Sequence, residues 1–493
     1  MQRASGVLLP VSSLPSPYGI GDFGPSAYTY VDWLQEAGQR YWTILPLLIP
    51  DSLGSPFNTV SAFALNWQLI SPELLVQQKL LDAKTARALQ SDAKRVRHRE
   101  VAQTKRRILH QAWKYFLLHA SAQQRRDFAA FQKQEKDWLD DFALYMAIKE
   151  TQRGRPWFRW INVYRERDFK ALQKFREKQS DRIQQHAFGQ WVATQQWQSL
   201  KDYANKKGVR IFGDLPFAVA HDSVDVWSHP ELFYISPQGK SLQVLGVPPD
   251  SFSKTGQLWG SPAYKWKKHA ATHFQWWVQR FAKASQLYDM LRLDHFRGYA
   301  ANWVIPGKAK TAKGGHWEKV PGKKLFRAIQ KKAQHLHCVA EDLGVITPDV
   351  IALRNALQFP GMRILEFGLS DGKRSVHHPD NYPINCVAYT GTHDLPPLKQ
   401  WFHNAKRTSK MNATRYGQSD TQHIGQNLIH ALLWNKAKIV IIQMQDLLAL
   451  GQGSRINTPA TKRNNWSWRL TSTSLSKKTA RELKSLLKET RRI

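Results

Sequence analysis

The sequence predicts an α/β protein built on a closed (β/α)8 TIM barrel, and three observations support this prediction. Eight short apolar runs, rich in β-branched residues, occur along the 493 residues. They do not alternate between polar and apolar residues, which indicates strands that are buried on both faces, as in a parallel sheet. Helix-like segments such as 27–38 and 274–286 separate the runs. Eight strands with intervening helices are typical of this barrel.

Each predicted strand ends in a cluster of Gly, Asp, Glu or Pro, residues that turn the chain. The strands lie at 5–15, 40–47, 208–217, 288–296, 337–344, 361–368, 385–394 and 438–448. The segment from about 78 to 205, rich in Leu, Ala, Gln, Lys and Arg, predicts a helical inserted subdomain after the second strand. Residues 218–270, approximately, are rich in Gly, Pro and Ser and predict an irregular loop subdomain over the C-terminal face of the barrel. We therefore expect a single domain over 1–493 with these two insertions.

The last predicted helix lies in the segment "TARELKSLLKE". Thr479 and Glu482 have the spacing of a capping box, which predicts that the helix begins at Thr479. Leu483, Leu486 and Leu487 would then share one face of the helix.

The composition predicts a folded protein without a metal or cofactor. Hydrophobic residues make up 42% and aromatic residues 12% of the chain, which excludes general disorder. The two cysteines, Cys338 and Cys386, lack metal-ligand spacing, and the 18 histidines form no ligand-spaced cluster. The N-terminal apolar stretch is too short for a signal peptide, and no window of 18 apolar residues occurs. We expect a cytoplasmic protein that does not contact a membrane.

The formal net charge of +34 raises the question of whether the protein binds a polyanion. Basic residues are most concentrated at 92–116 and continue to the end of the chain. They are spread over predicted helical faces and loops without a nucleic-acid motif, which favours a solvated basic surface. Contact with nucleic acid or another polyanion stays an alternative, and its affinity would fall steeply with salt.

Four carboxylates stand at the ends of predicted strands: Asp214, Asp294, Glu341 and Asp394. In a parallel barrel these ends form the mouth where catalytic residues lie. Strand alternation places Arg292 and Asp294 on one side, so the guanidinium can hold that carboxylate ionised. An ionised carboxylate and a protonated one, about 5–5.5 Å apart, perform retaining glycoside chemistry. Strand-end acids also bind divalent metals or cap helices, so spacing alone leaves these alternatives open.

Several longer motifs follow one another in a fixed order. They are "SGVLLPVSSLPSPYGIGDFGPSAYTYVDWLQEAGQRYWTILPL", "GDLPFAVAHDSVDVW", "GVPPDSFSKTGQLWGSPAYKW", "RLDHFRGY", "AEDLG", "FPGMR", "YTGTHD" and "QDLLALGQGSRINTPATKRNNWSWRL". In this series the chain resembles the 4-α-glucanotransferases, also called amylomaltases or disproportionating enzymes, of glycoside hydrolase family 77 in the α-amylase clan. The resemblance extends from near the N-terminus to about residue 470.

The resemblance implies an enzyme that transfers α-1,4-glucan segments between maltooligosaccharides by a retaining double displacement and releases glucose. It implies that Asp294 is the nucleophile and Glu341 the general acid/base. Asp394, in "YTGTHD", would be the third carboxylate, which grips sugar hydroxyls and stabilises the transition state. Six further residues are implied to bind substrate: Arg292, Asp214, His393, His295, Trp259 and Phe57. The loop 246–266 would act as a lid that excludes water and so favours transfer over hydrolysis.

Several departures from the family pattern fall near the implied site. Residues 395–397 are Leu-Pro-Pro where the family usually has Asn-Asp-Thr, and Phe57 replaces a tyrosine. In 248–253 a loop aromatic that could contact sugar is absent, and 62–67 and 258–262 also depart from the family pattern. We expect weakened or altered acceptor binding with the chemistry retained. A catalytically impaired glucan-binding relative and a hydrolytic relative stay alternatives.

Overall fold

The computed structural model describes residues 3–91, 93–249, 253–333, 336–418 and 422–493. The strands in this part of the chain are β1 (Ala4–Leu8), β2 (Tyr41–Thr43), β3 (Arg210–Leu215), β4 (Gln243–Val247), β5 (Gln257–Pro262), β6 (Met290–Leu293), β7 (Ala301–Pro306), β8 (His316–Lys319), β9 (His337–Ala340), β10 (Gly361–Ile364), β11 (Cys386–Tyr389) and β12 (Ile439–Gln443). The helices are α1 (Pro25–Glu36), α2 (Pro72–Gln77), α3 (Ala83–Ala88), α4 (His98–His119), α5 (Ala122–Gln134), α6 (Lys136–Thr151), α7 (Asn162–Arg165), α8 (Phe169–Lys178), α9 (Ser180–Lys206), α10 (Val224–Ser228), α11 (Trp266–Ala271), α12 (Gln275–Leu287), α13 (Gly322–Gln330), α14 (Pro348–Ala356), α15 (Leu365–Asp371), α16 (Leu398–Asn404), α17 (Arg407–Gly417), α18 (Ile424–Trp434), α19 (Met444–Leu447) and α20 (Lys477–Glu489).

Eight of the strands form a closed parallel barrel, in the order β1, β2, β3, β6, β9, β10, β11, β12. Seven of them lie within the predicted runs and β1 begins one residue before the first run, so the predicted barrel is confirmed. Pairing of β1 with β12, in the register Ala4 to Ile439, closes the barrel. Both of these strands are buried along their whole length, which explains the continuous apolar runs.

Helices α2–α9 fill the segment between β2 and β3, where the sequence predicts a helical insertion. The long helix α9 packs against α4, α5 and α6 and leads into β3. A buried ion pair joins this region to the barrel: Lys105 Nζ in α4 lies 3.0 Å from Asp22 Oδ2, just before α1. Both side chains are 1% exposed. The division of the chain into subdomains at about 78–205 and 218–270 stays a prediction.

A second, antiparallel sheet in the order β5-β4-β7-β8 lies beside the barrel. Two of its strands fall in 218–270, where the sequence analysis expects irregular structure, and the other two follow β6. Buried and exposed residues do not alternate regularly along β5 and β8, because both strands are mostly exposed. This sheet positions the functional site because β5 carries Trp259.

The predicted start of the last helix is wrong. Helix α20 begins at Lys477, and the side chain of Ser476 caps it by accepting from the Thr479 amide at 3.1 Å. The prediction of an apolar face is confirmed: Leu483 and Leu487 are buried, and the partly buried Leu486 packs on the core cluster that contains Leu487. In the described ranges, we find no helix with the length and apolar character needed to cross a bilayer.

Candidate active site

One arginine joins two of the strand-end carboxylates. Asp214 of β3 lies in register with Arg292 of β6, and Asp294 follows at the end of β6. Arg292 Nη1 donates to Asp214 Oδ2 at 2.7 Å and to Asp294 Oδ1 at 3.1 Å. Arg292 and Asp214 are buried, whereas the Asp294 side chain is 26% exposed. The guanidinium therefore joins both carboxyl groups, while Asp294 stays open to the mouth of the barrel.

The main chain fixes the position of Asp294. Its amide donates to the carbonyl of Leu215 at 3.2 Å, at the end of β3. Its Oδ2 accepts a long hydrogen bond from the Phe217 amide at 3.5 Å. A carboxylate that is held by two neighbouring strands and an arginine can attack an electrophile from a defined direction.

Glu341 lies at the end of β9, next to β6, and both of its carboxyl oxygens accept from main-chain amides. The His295 amide donates to Oε2 at 2.7 Å and the Leu343 amide to Oε1 at 3.1 Å. Burial raises the pKa of Glu341 to about 8; the charge of Asp294 adds to the shift, and Arg292 and the two amides oppose it. A carboxyl group that stays protonated at neutral pH can protonate a leaving oxygen.

The chain turns at His295, directly after Asp294. Its φ is +47°, in the left-handed region that non-glycine residues seldom adopt. The His295 amide, which donates to Glu341, is therefore the next main-chain group after Asp294. Burial lowers the pKa of the His295 imidazole to about 4. The hydrogen bond from His295 to Glu341 joins the residues that follow the adjacent strands β6 and β9.

Asp394 lies on the turn after β11, with an exposed side chain. Its Oδ1 accepts from Asn457 Nδ2 at 2.6 Å, and its Oδ2 lies 3.5 Å from His393 Nε2. Arg455 donates to the Asp394 carbonyl. Burial lowers the pKa of His393, which favours the neutral imidazole. Asp394 therefore presents a carboxylate to the cleft with neighbours that donate hydrogen bonds.

A cleft of about 360 Å³ opens over these residues. It is lined by Ser55, Phe57, Asn58, Ala218, Gln257, Trp259, Ser261, Asp294, His393, Asp394, Asn457, Pro459 and Trp466. Phe57 stacks on His393 with ring centroids 4.7 Å apart. Trp259 meets His295 edge-on at 4.8 Å. Polar groups between aromatic faces are the surface that a sugar ring, apolar on its faces and polar at its rim, requires.

The structure brings the predicted site residues together. Five of them line the cleft: Asp294, Asp394, His393, Trp259 and Phe57. The others adjoin these residues, since Arg292 and Asp214 lie buried beneath Asp294, and His295 and Glu341 are joined by a hydrogen bond. Their proposed roles stay predictions.

The sequence analysis missed Asn58, Gln257, Asn457 and Trp466, which also line the cleft. Asn457 and Trp466 belong to the motif at 445–470, which was singled out as a block but not residue by residue. Of the residues in the altered segment 248–253, Asp250, Ser251 and Phe252 lie outside the described residues.

The Leu-Pro-Pro departure lies beside the cleft. Leu395 packs on the main core cluster, and Pro397 precedes α16. None of the residues 395–397 is among the described residues that line the cleft. In the described part of the chain, no three His, Cys, Asp or Glu side chains are grouped as metal ligands.

Known proteins are similar to this chain in sequence and in fold. The sequence profile of a family described as 4-alpha-glucanotransferase matches residues 9–475. The 4-alpha-glucanotransferase of Aquifex aeolicus (strain VF5) is 42% identical over 473 residues, which cover 95% of each chain. That of Thermus thermophilus is 39% identical over 501 residues, covering 100% of each chain.

Solved structures agree with these sequence matches. The amylomaltase from Streptococcus agalactiae in complex with acarbose superposes with a TM-score of 0.96 at 37% identity, covering 100% of both chains. The amylomaltase from Corynebacterium glutamicum gives a TM-score of 0.80 at 17% identity, covering 99% of this chain and 75% of that one. The second match supports the fold alone.

Proposed function

The chain belongs to the family of 4-alpha-glucanotransferases, and we propose that it disproportionates maltodextrins through the carboxyl groups of Asp294, Glu341 and Asp394. It transfers α-1,4-glucan segments from one maltooligosaccharide to another and releases glucose. The configuration at the transferred carbon is retained because two displacements occur in succession.

In the first displacement, Asp294 attacks C1 of the sugar at the cleaved bond. Glu341 gives its proton to the glycosidic oxygen, and the bond between C1 and that oxygen breaks. The leaving sugar departs with a hydroxyl group, and the remaining segment is bound to Asp294 as an ester. The pKa of Glu341, raised to about 8, supports its role as the acid.

In the second displacement, Glu341 is a carboxylate and acts as the base. It takes the proton of the 4-hydroxyl of an incoming glucan, whose oxygen attacks C1 and displaces Asp294. Glu341 is then protonated again and Asp294 is ionised. Water competes with the incoming hydroxyl, and a glucan that packs against Phe57, Trp259 and Trp466 in the cleft would displace water and so favour transfer.

The other residues hold the sugar. Asp394 accepts hydrogen bonds from sugar hydroxyls and stabilises the positive charge that develops at C1. Its 42% exposure and its position on the cleft support this role. His393 and His295 donate to hydroxyls, and Phe57 and Trp259 pack against sugar faces. Arg292 and Asp214 orient Asp294 from below.

One observation carries the proposal: a single cleft has an arginine-paired carboxylate, Asp294, on the strand next to Glu341, whose pKa is raised. A retaining transferase requires a nucleophilic carboxylate beside an acid that holds its proton.

The test is incubation of the purified protein with maltotriose, followed by chain-length analysis and a reducing-end assay, with Asp294→Ala in parallel. A ladder of shorter and longer maltodextrins at constant reducing ends, absent in the variant, is expected. Rising reducing ends would reveal a hydrolase. A ladder that persists in the variant would refute the role of Asp294, and no turnover together with maltodextrin binding would reveal an impaired relative.

We also propose that the protein resides in the cytoplasm. The two cysteines, Cys338 and Cys386, are buried and unpaired. Burial raises the pKa of both thiols to about 12, so neither is prepared for oxidation. Fractionation of cells followed by immunodetection tests this location, and recovery from the culture medium or the periplasm would contradict it.

A further inference from the structure

The turn that carries Asp394 is anchored at both ends by one buried residue. This Asp394 turn, residues 391–397, connects β11 to α16. Asp446, which is 2% exposed, accepts from Thr390 Oγ1 at 2.6 Å before the turn and from the Leu398 amide at 2.7 Å after it. The ends of the turn are therefore fixed on α19, at the rim of the barrel. Its centre, where Asp394 lies, needs a separate contact.

Arg455 makes that contact. Its Nη2 donates to the carbonyl of Asp394, and its Nε donates to the carbonyl of Asn457 at 2.7 Å. Asn457 in turn donates from its side chain to Asp394 Oδ1 at 2.6 Å and from its amide to the His393 carbonyl at 3.0 Å. One planar guanidinium thus fixes the main chain of the two residues whose side chains bond to each other.

The charges around Arg455 suit this position. Burial lowers the pKa of Arg455, while the carboxyl groups of Glu366 and Asp394 raise it. Glu366 is 2% exposed, and its Oε1 has no hydrogen-bond partner among the described residues. Burial raises the pKa of Glu366 itself well above its ordinary range, and the charge of Arg455 opposes that shift.

We propose that Arg455 is a positioning residue for glucan transfer: it orients the carboxylate of Asp394 toward the sugar through paired hydrogen bonds to the main chain at Asp394 and Asn457. The inference rests on the proposed role of Asp394. A lysine carries the charge but cannot make two bonds in a fixed plane. The geometry of the guanidinium, and not its charge alone, is what the site requires.

The test compares Arg455→Lys and Arg455→Met with Asp394→Asn in the full chain. The matched control is Arg469→Met, since Arg469 also binds main-chain carbonyls, at Ala93 and Ser16, both at 2.6 Å, and is not among the residues lining the cleft. For each variant we would measure kcat and KM with maltotriose, the melting temperature, and the affinity for acarbose by calorimetry.

We expect Arg455→Met to lower kcat about 100-fold, as for misplacement of a catalytic group by about 1 Å, with a smaller change in KM. Arg455→Lys should recover only part of this loss. Acarbose binding should weaken about tenfold in Arg455→Met, but not further when Arg455→Met is added to Asp394→Asn, because the two changes remove one interaction. Arg469→Met should lower the melting temperature without changing kcat.

The outcomes separate the two proposals. If Asp394→Asn keeps full activity, the proposed role of Asp394 fails. If Asp394→Asn is inactive while Arg455→Met matches Arg469→Met in kcat, the positioning role fails. Full activity of Arg455→Lys would show that charge alone suffices and would also overturn the proposal, and this variant decides if Arg455→Met does not fold.

Discussion

The proposed acid predicts the alkaline limit of the enzyme. Burial raises the pKa of Glu341 to about 8, against an ordinary value of about 4.3. The first displacement needs the protonated form, which is present below the raised pKa and lost as pH rises through it. We therefore expect kcat/KM for maltotriose to hold up to about pH 7 and to fall about tenfold per unit above about pH 8.

The assay compares two substrates of the same cleft. For maltotriose, kcat/KM reports the first displacement, in which the leaving oxygen must receive a proton. For α-maltosyl fluoride, the leaving fluoride needs no proton, so the alkaline fall should be absent or much smaller. Initial rates over about pH 5–10 at constant ionic strength, with stability checked at each pH, give both profiles.

Two results would refute this reasoning. A fall in kcat/KM that already begins near pH 5 would mean that the environment of Glu341 does not favour its protonated form. An identical fall for both substrates would mean that the titrating group is not the acid that protonates the leaving oxygen.

Three further predictions concern single residues. Phe57→Ala removes the ring that stacks on His393 at 4.7 Å. We expect the binding free energy of maltotriose to weaken by about 0.5–1.5 kcal/mol, which raises KM about 2–12-fold, and the hydrolytic fraction to increase. Unchanged kinetics would contradict the stacking role. Gly391→Ala should lower both kcat and the melting temperature, because the new methyl group would collide with the Gln443 side-chain amide and lie 2.9 Å from Glu366 Oε1. Gly314→Ala is the control and should change neither quantity, because its methyl group would meet no described atom within 4 Å. Lys105→Met leaves Asp22 buried without its cation. Chemical denaturation should therefore show a free energy of unfolding lower by about 3–5 kcal/mol, with kcat unchanged. A decrease under about 1 kcal/mol would show that water reaches this pair.

The barrel strands were predictable because burial on both faces leaves a local signal. The run at 438–448 contains β12, whose five residues are all buried and whose first four are β-branched and apolar. The antiparallel sheet left no such signal. The exposed strand β8, with the sequence His-Trp-Glu-Lys, is held by its neighbour β7 and not by its own pattern.

The candidate site divides in the same way. Asp294 and Glu341 follow directly from strand ends, so a local rule locates them. Asn457 and Arg455 reach Asp394 from an irregular segment about 60 positions away, and their bonds exist only after the chain has folded. The start of α20 was misjudged because Ser476 and Thr479 are both good capping residues, and tertiary packing decides between them.

The barrel cannot close until its last strand has been synthesised. The strand that pairs with one edge of β1 is roughly 430 positions later in the chain. At a translation rate of roughly 5–20 residues per second, roughly 20–90 s pass between the synthesis of β1 and that of its partner β12. During that interval the edge of β1 presents unpaired main-chain groups to other nascent chains. Heterologous production of this enzyme should therefore gain more from extra chaperone, which covers the unpaired edge, than from any substitution in the finished barrel.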